Sequence, residues 1–304
     1  MTRASFAPVC LVFALGCTPS TSDDDDVGGD STDEASDSSG SDSTDGSDTT
    51  AGDTTTTDTG VEPLATVTGT VLDMQGAVLP SPGIQLCGPI DAEGVVESCI
   101  PVQVDDAAGT FEVGAMKTGL WALKCVHGPV DGRNFTGQSF QITIAEGDEL
   151  DFSAPPIVIP EVADVTDVAG VSGMTDIPID DVLTLHLDPS LAQTPDFTAP
   201  SVLGGLAVDA EFWRVSEVEG APVIAAWSFT PFGTHATEGS FGFSLDGALG
   251  LATGDAVIVY GIQKDNGMIH EVATGTVNAD ATAIDLAPTA DPLHELAWLL
   301  VTAG

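Results

Sequence analysis

From about residue 61 onward, apolar and polar positions alternate in short runs cut by glycine, proline and aspartate. That two-residue period belongs to half-buried strands, and no stretch keeps the 3.6-residue period of a long amphipathic helix. "ATVTGTVLD", starting at Ala65, alternates; "MQGAVLPSPG" turns; "IQLCG" extends again. "DDAAGTFEVGAM" feeds a turn into a strand, "TGLWALKCVHG" supplies another, and "FQITIAEGDELDFSAPPIVI" supplies two or three more. This spacing predicts an antiparallel sandwich of about seven strands over residues 61–161. Beyond it, "LGGLAVDAEFWRV", "APVIAAWSFTPFG", "EGSFGFSLD" and "DAVIVYGIQKDNGMIHEVATGTVN" continue the pattern. A second sandwich of about nine strands is predicted over 162–304. In "KDNG", Asn266-Gly267 suits a tight hairpin with positive φ values. "LHELAWLLV" reads as a buried closing strand, with one helical turn as the alternative. The fold class is therefore all-β, as two consecutive antiparallel β-sandwich domains.

The first 60 residues follow other rules. "MTRASFAPVCLVFALGC" carries Arg3, then an apolar run from about Phe6 to Leu15, then Gly16-Cys17. The run is too short to span a bilayer and has the proportions of a secretory signal over residues 1–16. The ending Ala14-Leu15-Gly16-Cys17 resembles the lipobox of bacterial lipoproteins, with alanine where leucine is usual. The resemblance implies cleavage before Cys17, acyl chains on Cys17 and a lipid-anchored cell-envelope protein. Thr18 in place of aspartate implies the outer membrane. Residues 17–60 hold thirteen Asp and Glu, no Lys or Arg and no aromatic residue. Such a segment cannot bury enough apolar surface to offset its ordering entropy. It reads as a disordered tether spanning roughly 35–40 Å as a neutral coil, lengthened by self-repulsion.

Acidity extends past the tether. The chain carries 47 acidic and 6 basic residues, for a formal charge of -41. Only Lys117, Lys124, Arg133, Arg214 and Lys264 are basic beyond residue 60. Nucleic-acid binding needs clustered Lys and Arg and is excluded as a partner class. The charge also repels anionic headgroups, so membrane attachment falls to the acyl chains.

Within 61–161, "VTGTVLDMQGAVLPSPGIQL", "VDDAAGTFEV" (Asp105, Asp106, Gly109, Phe111) and "KTGLWAL" (Trp121) resemble the carboxypeptidase regulatory-like family. That family is close to the Cna-B and transthyretin-like sandwiches. The resemblance covers about a third of the chain and implies a spacer, an adhesion module or an accessory domain, with glycan or envelope-protein partners. The C-terminal third resembles a hairpin module of bacterial surface proteins, through Val259-Tyr260, Asp265, Gly267, Gly275-Thr276-Val277 and Trp298. Ile269-His270 stands where that module carries tryptophan.

Three cysteines remain beyond the leader: Cys87, Cys99 and Cys125. A Cys87–Cys99 bridge would staple "GPIDAEGVVES", whereas Cys87–Cys125 would join neighbouring strands; both pairings stay open. Cys125 with His127 lacks the CxxC spacing of a zinc site.

No Gly-x-Ser-x-Gly, His-Glu-x-x-His or phosphate loop is present, and His127, His186, His235, His270 and His294 are scattered. No catalytic set is expected. A hydrolase in the second unit would require a cleft joining His235 or His270 to a serine and an acid. Asp105, Asp106, Asp180 and Asp181 are candidate calcium ligands, although such residues are more often turn formers, and calcium is the one cofactor considered. Trp121, Trp213, Trp227 and Trp298 could stack on sugars, although core packing is the default in strands. The expected function is non-enzymatic presentation of β-modules at the envelope, with carbohydrate- or calcium-dependent adhesion as the alternative.

Overall fold

A computed structural model describes residues 62–304. The signal, Cys17 and the tether lie outside the described residues. The described part is all-β, with two one-turn 3-10 helices and no helix long and apolar enough to cross a membrane.

The N-terminal part carries β1 (Ala65–Asp73), β2 (Gly83–Ile90), β3 (Val96–Val102), β4 (Thr110–Ala115), β5 (Gly119–Val126), β6 (Asn134–Phe135), β7 (Gly137–Ile144), β8 (Glu149–Ile159) and β9 (Glu161–Val162). Seven of these form two facing sheets, β4-β1-β8 and β3-β2-β5-β7, with β6 and β9 paired at the side. Strict alternation along β1 buries Val67 and Val71 against Leu86, Trp121 and Leu123 of the opposite sheet. One pairing departs from the antiparallel expectation: β8 runs parallel to β1.

Cys87 and Cys99 stand opposite each other in the β2–β3 pair and form the disulfide, with Cα atoms 4.0 Å apart. The rival partner Cys125 sits across from Ile84, while Ala122 faces Cys87. Cys125 is thus a buried free thiol, and burial pushes its pKa up to about 12 against a weaker pull from Arg214.

The remaining strands are β10 (Val165–Asp167), β11 (Thr175–Pro178), β12 (Leu183–Leu187), β13 (Ala192–Gln193), β14 (Val202–Ala207), β15 (Glu217–Val218), β16 (Ala221–Thr230), β17 (Thr234–Ala236), β18 (Gly242–Asp246), β19 (Ala256–Ile262), β20 (Ile269–Val277), β21 (Ala283–Pro288), β22 (Glu295–Leu296) and β23 (Trp298–Ala303). Most join one antiparallel, nearly closed sheet in the order β10-β14-β16-β23-β19-β20-β21-β18-β12-β11, with β15 beside β16. There are more strands than the nine expected, because several pieces of two or three residues read as loops in sequence. The C-terminal apolar run is a strand, β23, and it lies centrally between β16 and β19. Its interior is filled by Leu185, Trp227, Phe229, Val259, Leu299 and Val301.

A third cluster of buried side chains joins the two parts, with Val126 against Phe232, Trp213 and Trp298. Trp298 Nε1 donates to the Gly137 carbonyl at 2.8 Å, so that indole is satisfied inside the contact. The β19–β20 turn is longer than a two-residue hairpin. Gly267 N–H bonds Gln263 O, and Gln263 N–H bonds Met268 O. Only Gly267 takes positive φ, at 62°. The turn is buried rather than free: Asn266 Nδ2 donates to Gly94 O at 2.9 Å, and Gln141 Nε2 donates to Asn266 O at 3.2 Å.

Candidate functional site

A short three-stranded sheet, β13-β17-β22, builds the floor of a groove of about 380 Å³. Register places Gln193 opposite His235, and His235 opposite Glu295. Directly opposed residues share a face, so these three side chains form one polar row. Backbone pairing on both sides makes His235 a strand residue. His235 Nε2 lies 3.1 Å from Gln193 Oε1.

Two tight approaches shape the walls. The Lys264 stem lies over Gly233, where an added Cβ would come within 2.2 Å of Lys264 Cδ. Lys264 N–H donates to Glu295 Oε2 at 3.1 Å, tying the turn to the floor. His270 lies across from Gly261, whose missing side chain leaves room for the imidazole. The segment between β21 and β22 adds Asp291 and His294, and His294 Nδ1 bonds Gly239 O at 2.8 Å.

The rim is a loop after β13. Thr194 and Thr198 hydroxyls converge on the Asp196 carboxylate and hold its pKa below the ordinary range. Phe197 stands at the turn with φ 63° and 77% of its surface exposed. A bulky side chain in the left-handed region is uncommon and is kept only where its surroundings enforce it. Enforcement comes from Phe197 N–H on Thr194 O and from Gln193 Nε2 on Phe197 O, at 2.9 and 3.0 Å. A second hollow of about 340 Å³, lined by Phe135 and Phe232 among others, shares Pro195 with the groove.

Burial sets the electrostatics. It pushes the Glu295 carboxyl up, against the Lys264 N–H and ammonium. It pushes His270 down, with Asp291 opposing and His294 assisting; His270 Nδ1 is buried without a hydrogen-bond partner, which leaves a second proton unsolvated. Burial also works against the Asp265 charge, but Lys264 and Lys124 overcome it and hold that carboxyl low. Lys124 Nζ reaches Asp265 Oδ1 at 3.1 Å and Lys264 Nζ at 3.5 Å.

The other sequence candidates have separate duties. Asp105 Oδ1 accepts from Ala107 and Ala108 N–H, and Asp106 Oδ1 accepts from Ser81 N–H and its hydroxyl. Asp180 accepts from Val182 and Leu183 N–H and, through Oδ2, from Trp227 Nε1 at 2.7 Å; Asp181 is exposed. Among the described residues, no three His, Cys, Asp or Glu side chains gather closely enough to hold a metal ion. Trp121, Trp227 and Trp298 are buried, and Trp213 is half-buried with Nε1 on Val208 O; Phe197 is the exposed aromatic instead. His127 packs tilted against Phe135, ring centroids 4.8 Å apart, with its nitrogens on Gly128 and Pro80 carbonyls.

His186 lies within β12 and has company the sequence did not suggest. Nδ1 lies 2.7 Å from Asp176 Oδ1 and Nε2 lies 3.0 Å from Ser244 Oγ, across β11, β12 and β18. The groove does join His235 and His270 to acids, but no serine lines it. Gln193, Phe197, Lys264, Asp291 and Glu295 were missed. The aromatic within polar "QTPDFT" was the available signal for Phe197.

No family model matches the chain, and no curated protein matches it. Among solved structures, a DUF3823 family protein from Bacteroides ovatus is 11% identical, covering 74% of this chain and 96% of its own, with a TM-score of 0.23. The Bacillus anthracis TIE protein is 13% identical over 75% of this chain and 44% of its own, with a TM-score of 0.25. A candidate carbohydrate-binding protein from Bacteroides uniformis is 9% identical over 80% of both chains, with a TM-score of 0.21.

Proposed function

We propose that this is a non-enzymatic, lipid-anchored protein of the bacterial envelope whose groove binds a saccharide. The signal-like leader, Cys17 and the acidic tether support anchoring, since acyl chains would hold to lipid a chain whose charge repels anionic headgroups, and Thr18 supports the outer membrane. The observation that carries the binding reading is Phe197. It is an exposed ring on an enforced backbone, beside a row of hydrogen-bonding side chains. A sugar presents an apolar C–H face and a rim of hydroxyls, and this site offers a partner to each. No serine, threonine or cysteine lines the groove to act as a nucleophile.

Two experiments test the reading. Cys17→Ser should release the protein from membranes, and continued membrane association would require another attachment. Oligosaccharide arrays probed with and without chelator should give signal in both conditions. Loss with chelator would turn the reading toward calcium-dependent adhesion, and silence in both would end it.

The Asp176–His186–Ser244 chain favours a second reading, hydrolysis, because its hydrogen-bond order is that of an activated serine. Against it, Ser244 lies within β18, which is paired on both sides, and it lines none of the cavities described above. A fluorophosphonate probe should leave Ser244 unlabelled; labelling that depends on His186 would replace binding with hydrolysis.

A further inference from the structure

The hydrogen bonds of the groove fix which nitrogen of two imidazoles carries the proton. Gln193 Nε2 donates to the Phe197 carbonyl, so Gln193 Oε1 is the atom facing His235, and it can only accept. His235 Nε2 is therefore protonated, and Nδ1 keeps the lone pair. His294 Nδ1 faces the Gly239 carbonyl, again an acceptor only, so Nε2 keeps the lone pair. A neutral imidazole of this kind offers an acceptor suited to a hydroxyl group. A second proton converts that acceptor into a charged donor suited to an oxyanion.

Charge changes in the same sense. Three of the five histidines of the chain line this groove, with one ammonium, Lys264, and three carboxylates, Asp265, Asp291 and Glu295. With neutral imidazoles the lining is negative by two charges; with three imidazolium groups it is positive by one. Histidine is the side chain whose charge ordinarily changes between about pH 5 and 8. Beyond the lining, Lys124 reaches Asp265, and Asp196 on the rim is engaged by Thr194 and Thr198.

We propose that the groove is a site for acidic saccharides, carrying carboxylate or sulfate, which it takes up on acidification. The inference rests on the saccharide reading above and adds the ligand's charge. Burial of Glu295 supports it, because a raised carboxyl pKa removes one repelling charge early in acidification. Burial pushes His270 down, so the variants below are placed at His235 and His294, whose free ring nitrogens the hydrogen bonds identify.

The test is an array of neutral, uronate-bearing and sulfated oligosaccharides, probed with the full chain at about pH 7.5 and about pH 5. Signal on one or both acidic arms should rise at least about tenfold at the lower pH, while the neutral arm changes less than about twofold. The double variant His235→Gln, His294→Gln should lose the rise. The exposed single variant His294→Gln should reduce it, and this keeps the test readable if the double variant misfolds. His127→Gln, outside the groove lining, should retain it. A flat or falling acidic signal, with neutral binding intact, overturns this inference and leaves the saccharide reading standing. A rise that survives the double variant overturns it too. Silence on every arm at both pH values overturns both.

Discussion

Glu295 shows how one side chain can serve the groove at the expense of the fold. Burial raises its pKa, so in the window between the ordinary carboxylate value and the raised one the folded chain holds a proton that the unfolded chain has lost. Stability therefore falls as pH rises through that window, and the deficit persists at neutral pH. Glu295→Gln removes the titration while keeping an acceptor for Lys264 N–H. The melting temperature of the variant minus that of the parent should grow more positive from about pH 4.5 to about pH 7; a constant or shrinking difference contradicts this. His270 has the opposite sign. Its lowered pKa gives stability that is complete above the ordinary histidine value and is lost as pH falls through the lowered one. Neither shift was legible in the sequence, because both come from neighbours distant along the chain. Lys264 and Glu295 are 31 positions apart and meet only after β17, β20 and β22 assemble.

At the scale of elements, the β19–β20 turn separates what sequence reveals from what it conceals. Asn-Gly between alternating runs announces a hairpin, and a hairpin forms there. Its burial is invisible locally, because the contacting backbone at Phe140 and Gln141 belongs to β7. Gly267 and Gly76 both take positive φ, at 62° and 77°, but an added Cβ at Gly267 would meet Phe140 C at 2.9 Å while Gly76 has nothing within 4 Å. Gly76→Ala should cost only about 1 kcal/mol, the price of left-handed backbone. Gly267→Ala should cost roughly 1–3 kcal/mol more, from overpacking. Denaturant titration checks both, and equal losses would mean that the turn is not packed as described. Strands such as Ala65–Asp73 were legible to the residue because one face is buried along their whole length. The pieces β13, β17 and β22 were not, since two or three residues are too few to show a period.

Across the whole molecule, charge and topology were unequally legible. Composition carried the acidity, and the two-residue alternation carried the all-β class. Neither could give the parallel β1–β8 pairing or the near-closure of the large sheet, which depend on partners far apart in sequence; β12, for example, pairs with β18. Residues 61–304 carry 34 acidic and 5 basic residues, so self-repulsion opposes the compact state and salt screens it. Raising sodium chloride from about 0.01 M to about 0.5 M shortens the screening length from about 30 Å to a few ångströms and should raise the melting temperature. A fall would show that ion pairs such as Arg133 with Asp73 and Glu161 outweigh the repulsion.

If the groove beneath Phe197 receives the ligand, the affinity of Phe197→Ala for the strongest array hit shows it most directly. Removing an exposed ring should leave the melting temperature unchanged and weaken binding by up to about tenfold, the value of one stacked aromatic contact. Unchanged affinity in a folded variant would place the ligand elsewhere or nowhere on this chain.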